Sequence, residues 1–216
     1  MRETSRPPRT RTLDQLPAAV LFDRDGTLVR DVPYNGDPSR VEPMPGARAA
    51  LDRLRAAGVP TAVVSNQSGV ARGLLTRRQV DAVNERVEAV LGPLGPFLVC
   101  EHGPEDGCGC RKPAPGMVRA AAEALGVSPA DCALIGDIGA DVGAALAAGA
   151  RPVLVPTPVT RQEEVDAAPE VALDLLAAVA LLLDGPAGGP HDDGPPVDRR
   201  PDDGPPGDRR LDDGPT

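Results

Sequence analysis

Apolar residues along this chain follow two rhythms. Short, nearly unbroken apolar runs stand at residues 18–23 (AAVLFD), 61–65 (TAVVS), 97–100 (FLVC), 132–136 (CALIG) and 152–155 (PVLV). Runs of this length, closed by polar, glycine or proline turns, predict strands buried on both faces. Between them, apolar positions recur every three or four residues. Residues 46–57 place Ala47, Ala50, Leu51 and Leu54 on one face, with Gly58 as a stop. Residues 76–91 open at Thr76, a suitable N-cap, and carry a stripe of Val80, Val83, Val87, Val90 and Leu91. Further helices are predicted at 115–125, 140–148 and 170–183. Strands alternating with helices at this spacing predict an α/β fold, a mostly parallel sheet with helices on both faces. Ligands in such sheets gather at the carboxyl ends of the strands, so the segments that follow each run are where chemistry is expected.

The two ends break both rhythms. Residues 1–17 hold four arginines and read as a flexible basic leader. Residues 184–216 contain a ten-residue repeat, DDGPPVDRRP then DDGPPGDRRL, with nine Asp and four Arg in the whole segment. Such a composition buries too little apolar surface to fold and reads as a disordered tail, either a solvated extension or an interaction arm. The expected organisation is one domain, residues 18–183, between two appendages.

Composition removes several function classes. Only Phe22, Tyr34 and Phe97 are aromatic in 216 residues, so the core must be Ala, Val and Leu, and nucleic-acid bases have almost nothing to stack on. A net charge of -9 also opposes binding to a phosphate backbone. Nucleic acid is therefore not an expected partner. No apolar stretch approaches the ~18 residues of a membrane span, and the N-terminus lacks the apolar segment of a secretory signal. The expectation is a cytoplasmic chain without membrane contact, its oligomeric state open and a monomer included.

Two scarcities point to one short segment. Of 23 basic residues, 22 are Arg and one is Lys, at position 112. A chain that uses guanidinium everywhere else keeps its single compact ammonium for a task guanidinium does poorly. Cys100, His102, Cys108 and Cys110, most of the chain's cysteine and histidine, fall within eleven residues just before it. Three thiolates and an imidazole make a complete tetrahedral zinc set with no open position, hence a structural site. A disulfide and a buried-thiol cluster are the alternatives. A cytosolic setting disfavours the disulfide, and C-x-C lies outside the usual redox spacing. Cys132, inside a predicted strand, reads as a core residue.

The first strand ends in Asp23-Arg24-Asp25-Gly26-Thr27. Two Asp at i and i+2 of an extended segment point to one side, and such a pair can divide its work, one carboxylate attacking while the other moves protons. A solvated acidic turn is the plainer reading. A calcium loop is excluded, because its twelfth position would need Glu and here is Tyr34 or Gly36, depending on the starting Asp. Asp137 and Asp141 share a helix face, either as metal ligands or as acids that suit a helix N-terminus.

Taken in order, these segments resemble the haloacid dehalogenase (HAD) phosphatase superfamily. FDRDGTLV resembles its first motif, Ser65-Asn66-Gln67-Ser68-Gly69 its second, Arg111-Lys112-Pro113 its third, and Gly136-Asp137-Ile138-Gly139-Ala140-Asp141 its fourth, at four successive strand ends. The resemblance implies a Rossmann-like HAD fold and a Mg²⁺-dependent phosphomonoesterase. It implies Asp23 as the nucleophile that becomes an aspartyl-phosphate, and Asp25 as the acid that protonates the leaving alcohol and then activates water. Asp23, the Asp25 carbonyl and Asp137 would ligate Mg²⁺. Ser65, Asn66, Gln67 and Ser68 would bind the phosphoryl group with Lys112, while Asp141 orients Lys112 or a metal-bound water. The short separations between motifs leave no room for a cap domain.

The zinc loop followed by CRKP resembles the HAD subfamily that contains D-glycero-D-manno-heptose 1,7-bisphosphate phosphatases and histidinol-phosphate phosphatases. NQSGVARG at 66–73 and KPAPGM at 112–117 are nearer the heptose enzymes, which implies removal of the 7-phosphate from a sugar bisphosphate. Arg111 would contact the sugar or its second phosphate, and Asp31 and Tyr34 would lie on a substrate loop. One position departs, with Ile138 standing where the heptose enzymes commonly carry Lys. The alternatives are histidinol phosphate or another small phosphomonoester as substrate, or a catalytically idle zinc-bearing binding module. Retention of Asp23, Asp25, Lys112 and Asp137 together stands against an idle module.

Overall fold

The computed structural model describes residues 16–185. The expected leader before residue 16 and the repeat tail after residue 185 lie outside them. Five strands, β1 (Ala19–Phe22), β2 (Thr61–Asn66), β3 (Phe97–Cys100), β4 (Cys132–Gly136) and β5 (Arg151–Leu154), coincide with the five apolar runs to within a residue or two. They form one parallel sheet in the order β3-β2-β1-β4-β5. The helices are α1 (Ala47–Ala56), α2 (Arg77–Leu91), α3 (Gly116–Ala124), α4 (Gly139–Ala148), α5 (Gln162–Ala167) and α6 (Leu175–Asp184).

The alternation of side chains along β1 divides the core in two. Val20 and Phe22 face a layer built with α1, α2 and α6, while Ala19 and Leu21 face a second layer built with α3 and α4. Helix α2 begins where Thr76 and Gln79 form a reciprocal capping box, and its Val80, Val83, Val87 and Leu91 are buried as the stripe predicts.

Register places the chemistry. Phe22 pairs with Val63 of β2 and with Ile135 of β4, so Asp23 emerges level with Val64 inside β2 and with Gly136, the last residue of β4. Its backbone N–H donates to the Ile135 carbonyl at 2.9 Å, which extends the ladder one residue into the site. β1 is the strand from which the order runs to β2 on one side and β4 on the other, the kind of switch point where open α/β sheets hold ligands. Loop, a short 3-10 turn and α1 join β1 to β2, and among the described residues no separate domain stands over the site.

The last third of the chain departs from the expected single helix at 170–183. Glu170 and Ala172 exchange backbone hydrogen bonds with Leu154 of β5 (2.9 and 2.8 Å), and Arg151 holds the Glu170 carboxylate through two contacts of 2.7 and 2.6 Å. The helix starts only at Leu175, because Asp174 caps it by accepting from Ala177 N–H at 2.8 Å. Helix α5 was not foreseen. It has six residues, none buried, so no apolar period marks it. Helix α6 takes in Asp184, the first residue of the expected tail, whose carboxylate pairs with Arg53 at 2.8 Å. No helix among the described residues is long and apolar enough to cross a membrane.

Candidate active site

The carboxylates at the end of β1 sit in a crowded turn. Gly26 adopts φ +85°, and a Cβ there would lie 2.3 Å from Oδ2 of Asp137. Only glycine allows the backbone to turn at that point while the first and fourth motifs approach each other. Gly136 is constrained in the same way, since a Cβ would meet the Asp141 side chain at 2.3 Å. Thr27 Oγ1 donates to Asp137 Oδ1 at 3.4 Å, and Thr160 Oγ1 donates to the Asp137 carbonyl at 2.7 Å. Neither threonine was singled out from sequence.

Lys112 reaches this cluster from the loop before α3 and is only 4% exposed. Its ammonium contacts a carboxylate oxygen of Asp23, Oδ1 of Asp141 at 2.6 Å and the Val64 carbonyl at 2.8 Å. The contacts to Asp23 and Val64 are hydrogen bonds and the one to Asp141 is an ion pair, a compact set that suits an ammonium better than a planar guanidinium. Asp141 thus touches Lys112 directly, and its other oxygen accepts from Ile138 N–H at 3.2 Å, which caps α4. The Asn66 carboxamide is occupied by the Lys112 backbone rather than turned to the cavity alone.

Asp25 is held from two sides. Arg24 Nη2 and Gln67 Nε2 donate to its Oδ2 at 2.9 and 2.8 Å, and Gln67 Nε2 also meets Ser65 Oγ at 2.8 Å. Arg24 in turn donates from Nη1 to Asn84 Oδ1 of α2 at 2.7 Å. Neither Arg24 nor Asn84 stands out as functional from residue type and spacing alone. The available signal was Asn84 itself, a polar residue inside an otherwise valine-rich buried stripe.

Burial dominates the electrostatics. It raises the Asp23 carboxyl well above the ordinary range; Lys112 pulls it back, while Asp141, Asp25 and Asp137 push in the same direction as burial. Asp137 is pushed up to about 7 by burial and then by Asp141. For Lys112 burial opposes the charge, but Asp141 and Asp23 outweigh it and keep the ammonium protonated. Carboxylate oxygens of Asp23, Asp137 and Asp141 lie within 4.8 Å of one another. An excess of buried carboxylates over cations, all hard oxygen donors, fits a divalent cation such as Mg²⁺.

A cavity of about 330 Å³ opens over these groups. Asp31, Tyr34, Ser65, Asn66, Gln67 and Ser68 line it together with Asp23, Asp25, Lys112 and Asp137, so nearly the whole expected set converges. Ile138 and Val159 add an apolar wall. Tyr34, at φ +50°, accepts from Arg72 Nη1 at 2.6 Å. Arg111 is not among the lining residues; its Nη1 donates to the His102 carbonyl at 3.3 Å.

Before Lys112, the loop gathers its sulfurs. Cys100 Sγ lies 3.7 Å from Cys108 Sγ and 3.2 Å from Cys110 Sγ, and His102 Nδ1 lies 3.6 and 3.3 Å from the sulfurs of Cys100 and Cys110. Zinc–sulfur bonds of about 2.3 Å in a tetrahedron set ligand separations near 3.7 Å, so these four atoms fit such an ion. None of the four cysteines forms a disulfide, so that alternative is absent among the described residues.

Comparison with known proteins agrees with this geometry. Residues 20–84 match a haloacid dehalogenase-like hydrolase model, and residues 109–179 match a HAD-hydrolase-like model. A Pseudomonas putida protein named D-glycero-beta-D-manno-heptose-1,7-bisphosphate 7-phosphatase is 39% identical over 171 residues, covering 76% of this chain and 98% of its own length. The chain belongs to the haloacid dehalogenase-like hydrolases. An Escherichia coli K12 relative of the same name is 34% identical over 160 residues, 68% of this hydrolase and 84% of that protein. The Bordetella bronchiseptica D,D-heptose 1,7-bisphosphate phosphatase, crystallised with magnesium and phosphate, superposes on the hydrolase with a TM-score of 0.69 at 31% identity, covering 78% of this chain and 99% of that one.

Proposed function

We propose that this HAD-like hydrolase is a Mg²⁺-dependent phosphomonoesterase that works through an aspartyl-phosphate on Asp23 and removes the 7-phosphate of D-glycero-D-manno-heptose 1,7-bisphosphate. The observation that carries the chemistry is the buried Asp23 in contact with Lys112, with Asp25 two residues on and facing the same cavity. The substrate rests on the relatives' names and on the resemblance of residues 66–73 and 112–117 to the heptose enzymes.

Asp23 attacks phosphorus, and the bond from phosphorus to the sugar oxygen breaks. Asp25, entering as the acid, gives its proton to that oxygen. It then takes a proton from water, which attacks the phosphorus on Asp23 and frees phosphate and the Asp23 carboxylate. Lys112 neutralises charge on the transferring group, and Ser65 with the Gln67–Ser68 segment donates hydrogen bonds to it. Asp23, the Asp25 carbonyl and Asp137 would hold Mg²⁺, which when bound offsets the repulsion between an attacking carboxylate and a phosphate dianion. Cys100, His102, Cys108 and Cys110 would hold a structural zinc that ties down the loop leading to Lys112. Asp31 and Tyr34, which line the same cavity, would meet the sugar.

A second substrate reading is favoured by one wall of the site. Ile138 and Val159 present apolar surface to the cavity, and Arg111 must leave the His102 carbonyl to reach a second phosphate. A monophosphate such as histidinol phosphate has no second phosphate and needs no cation at that wall. Phosphate release from the heptose bisphosphate and from histidinol phosphate with Mg²⁺, beside an Asp23→Asn control, decides between them. Turnover of the bisphosphate that is lost in the control supports the first reading. Turnover of histidinol phosphate alone keeps the mechanism and replaces the substrate. Silence on both, and on a wider panel of sugar phosphates, returns the idle binding module.

A further inference from the structure

Arg24 stands between the two acids of the first motif and is 1% exposed. A guanidinium buried to that degree costs several kcal/mol unless it is paired and hydrogen-bonded, so where its donors go is informative. Nε lies 3.1 and 3.2 Å from the two oxygens of Asp25, Nη2 lies 2.9 Å from Oδ2, and Nη1 lies 2.7 Å from Asn84 Oδ1. Its backbone carbonyl accepts from both Leu28 and Val29 N–H at 3.0 Å, which fixes the root of the side chain. Two ends of one planar group therefore join α2 to Asp25.

Asn84 is 6% exposed and sits among Val80, Val83 and Val87 on the buried face of α2. An aliphatic residue there would lengthen the apolar stripe; an amide in that place needs a polar partner to offset its desolvation. Arg24 is that partner. The amide thus orients a buried cation whose other edge grips a carboxylate in the cavity.

We infer that Asn84 and Arg24 are positioning residues that act through Asp25: the chain Asn84–Arg24–Asp25 aims the acid/base carboxylate at the leaving oxygen. Gln67 supplies the opposing contact at Oδ2, so the carboxylate is clamped from both sides. This rests on the proposed phosphatase chemistry and adds residues to which that chemistry assigns no role.

The effect has a signature that loss of stability lacks. A poor leaving group, an alkyl or sugar alkoxide, needs the Asp25 proton as the phosphorus–oxygen bond breaks. Nitrophenolate leaves without one. The experiment compares first-turnover rates on p-nitrophenyl phosphate and on a sugar phosphate for wild type, Asn84→Ala, Asn84→Asp and Arg24→Lys, with saturating Mg²⁺ and thermal unfolding alongside. Asn84→Ala and Arg24→Lys are expected to slow the first turnover on the sugar phosphate by about 10- to 100-fold, within the range of acid–base catalysis. Their first release of nitrophenolate is expected to stay within about threefold of wild type, followed by a slowed steady state, because water activation still needs Asp25. Asn84→Asp, which keeps an acceptor for Nη1, is expected to restore most of the sugar-phosphate rate. Equal losses on both substrates, or no loss on either, overturn the positioning role. If Asn84→Ala does not fold, the ratio for Arg24→Lys and Asn84→Asp decides in the same way. Wild-type protein silent on both substrates overturns the phosphatase reading itself, and this inference with it.

Discussion

Asn66 and Lys112, forty-six residues apart, exchange two hydrogen bonds: Lys112 N–H donates to Asn66 Oδ1 at 3.0 Å, and Asn66 Nδ2 donates to the Lys112 carbonyl at 3.1 Å. The amide side chain behaves as one more rung between the end of β2 and the loop that delivers the ammonium. Asn66→Ala removes both bonds and leaves two part-buried backbone groups unpaired, at about 1–3 kcal/mol of destabilisation. Activity is expected to fall further than stability, because Lys112 loses its backbone anchor. Thermal unfolding and steady-state kinetics on the same preparation check this, and a drop in melting temperature with unchanged kcat would count against it.

Lys112→Arg is expected to be nearly as damaging as Lys112→Ala. The ammonium fills a slot bounded by Asp23, Asp141 and the Val64 carbonyl, and a planar fork cannot meet all three from the same root. A loss of about 10²–10³ in kcat is the expected scale for one charge-stabilising group. Recovery by Arg to within about tenfold of wild type would show that charge alone suffices.

Removing the proposed zinc should act through Lys112. A zinc-selective chelator at saturating Mg²⁺, or Cys110→Ser, is expected to lower both activity and melting temperature. The temperature scale for a domain of this size is about 2–4 °C per kcal/mol, and a fall of about 5–10 °C is expected. Metal analysis confirms the removal. Full activity in verified zinc-free protein would break the link between the loop and the site.

Metal-free protein should be sensitive to pH in a definite direction. Burial lifts Asp137 to about 7 and Asp23 well above the ordinary range, against about 3.9 in an unfolded chain. The folded state then binds more protons than the unfolded one, so stability is fully present below the unfolded value and is lost as pH rises through about 7. Chelated protein is expected to melt lower at pH 8 than at pH 6. Mg²⁺, competing with those protons, is expected to raise the melting temperature more at the higher pH. A Mg²⁺ effect that is flat with pH would exclude these acids as its ligands.

Much of the framework was legible because parallel strands buried on both faces must be written as apolar runs. AVLF and CALIG have no other comfortable reading beside helices of clear period. Capping made α2 readable from Thr76. The acids, Lys112 and the cysteine–histidine loop stood out by residue type, and the structure brings them to the carboxyl ends of the strands. Other features depend on folding at a distance. The pairing of Arg24 with Asn84 joins positions sixty residues apart. The turn of Arg111 toward His102 depends on how the loop wraps, and the pairing of Glu170 and Ala172 with β5 depends on an edge that local pattern cannot announce.

The turn at Gly26 sets the finest tolerance in the molecule. One methyl group there would occupy the place of the Asp137 carboxylate, although more than a hundred residues separate the two along the chain. The first and fourth motifs therefore cannot drift independently: a side chain gained at one must be matched by ground given up at the other. Any lineage that keeps an acid at position 137 is bound to keep position 26 bare, whatever substrate the surrounding loops come to accept.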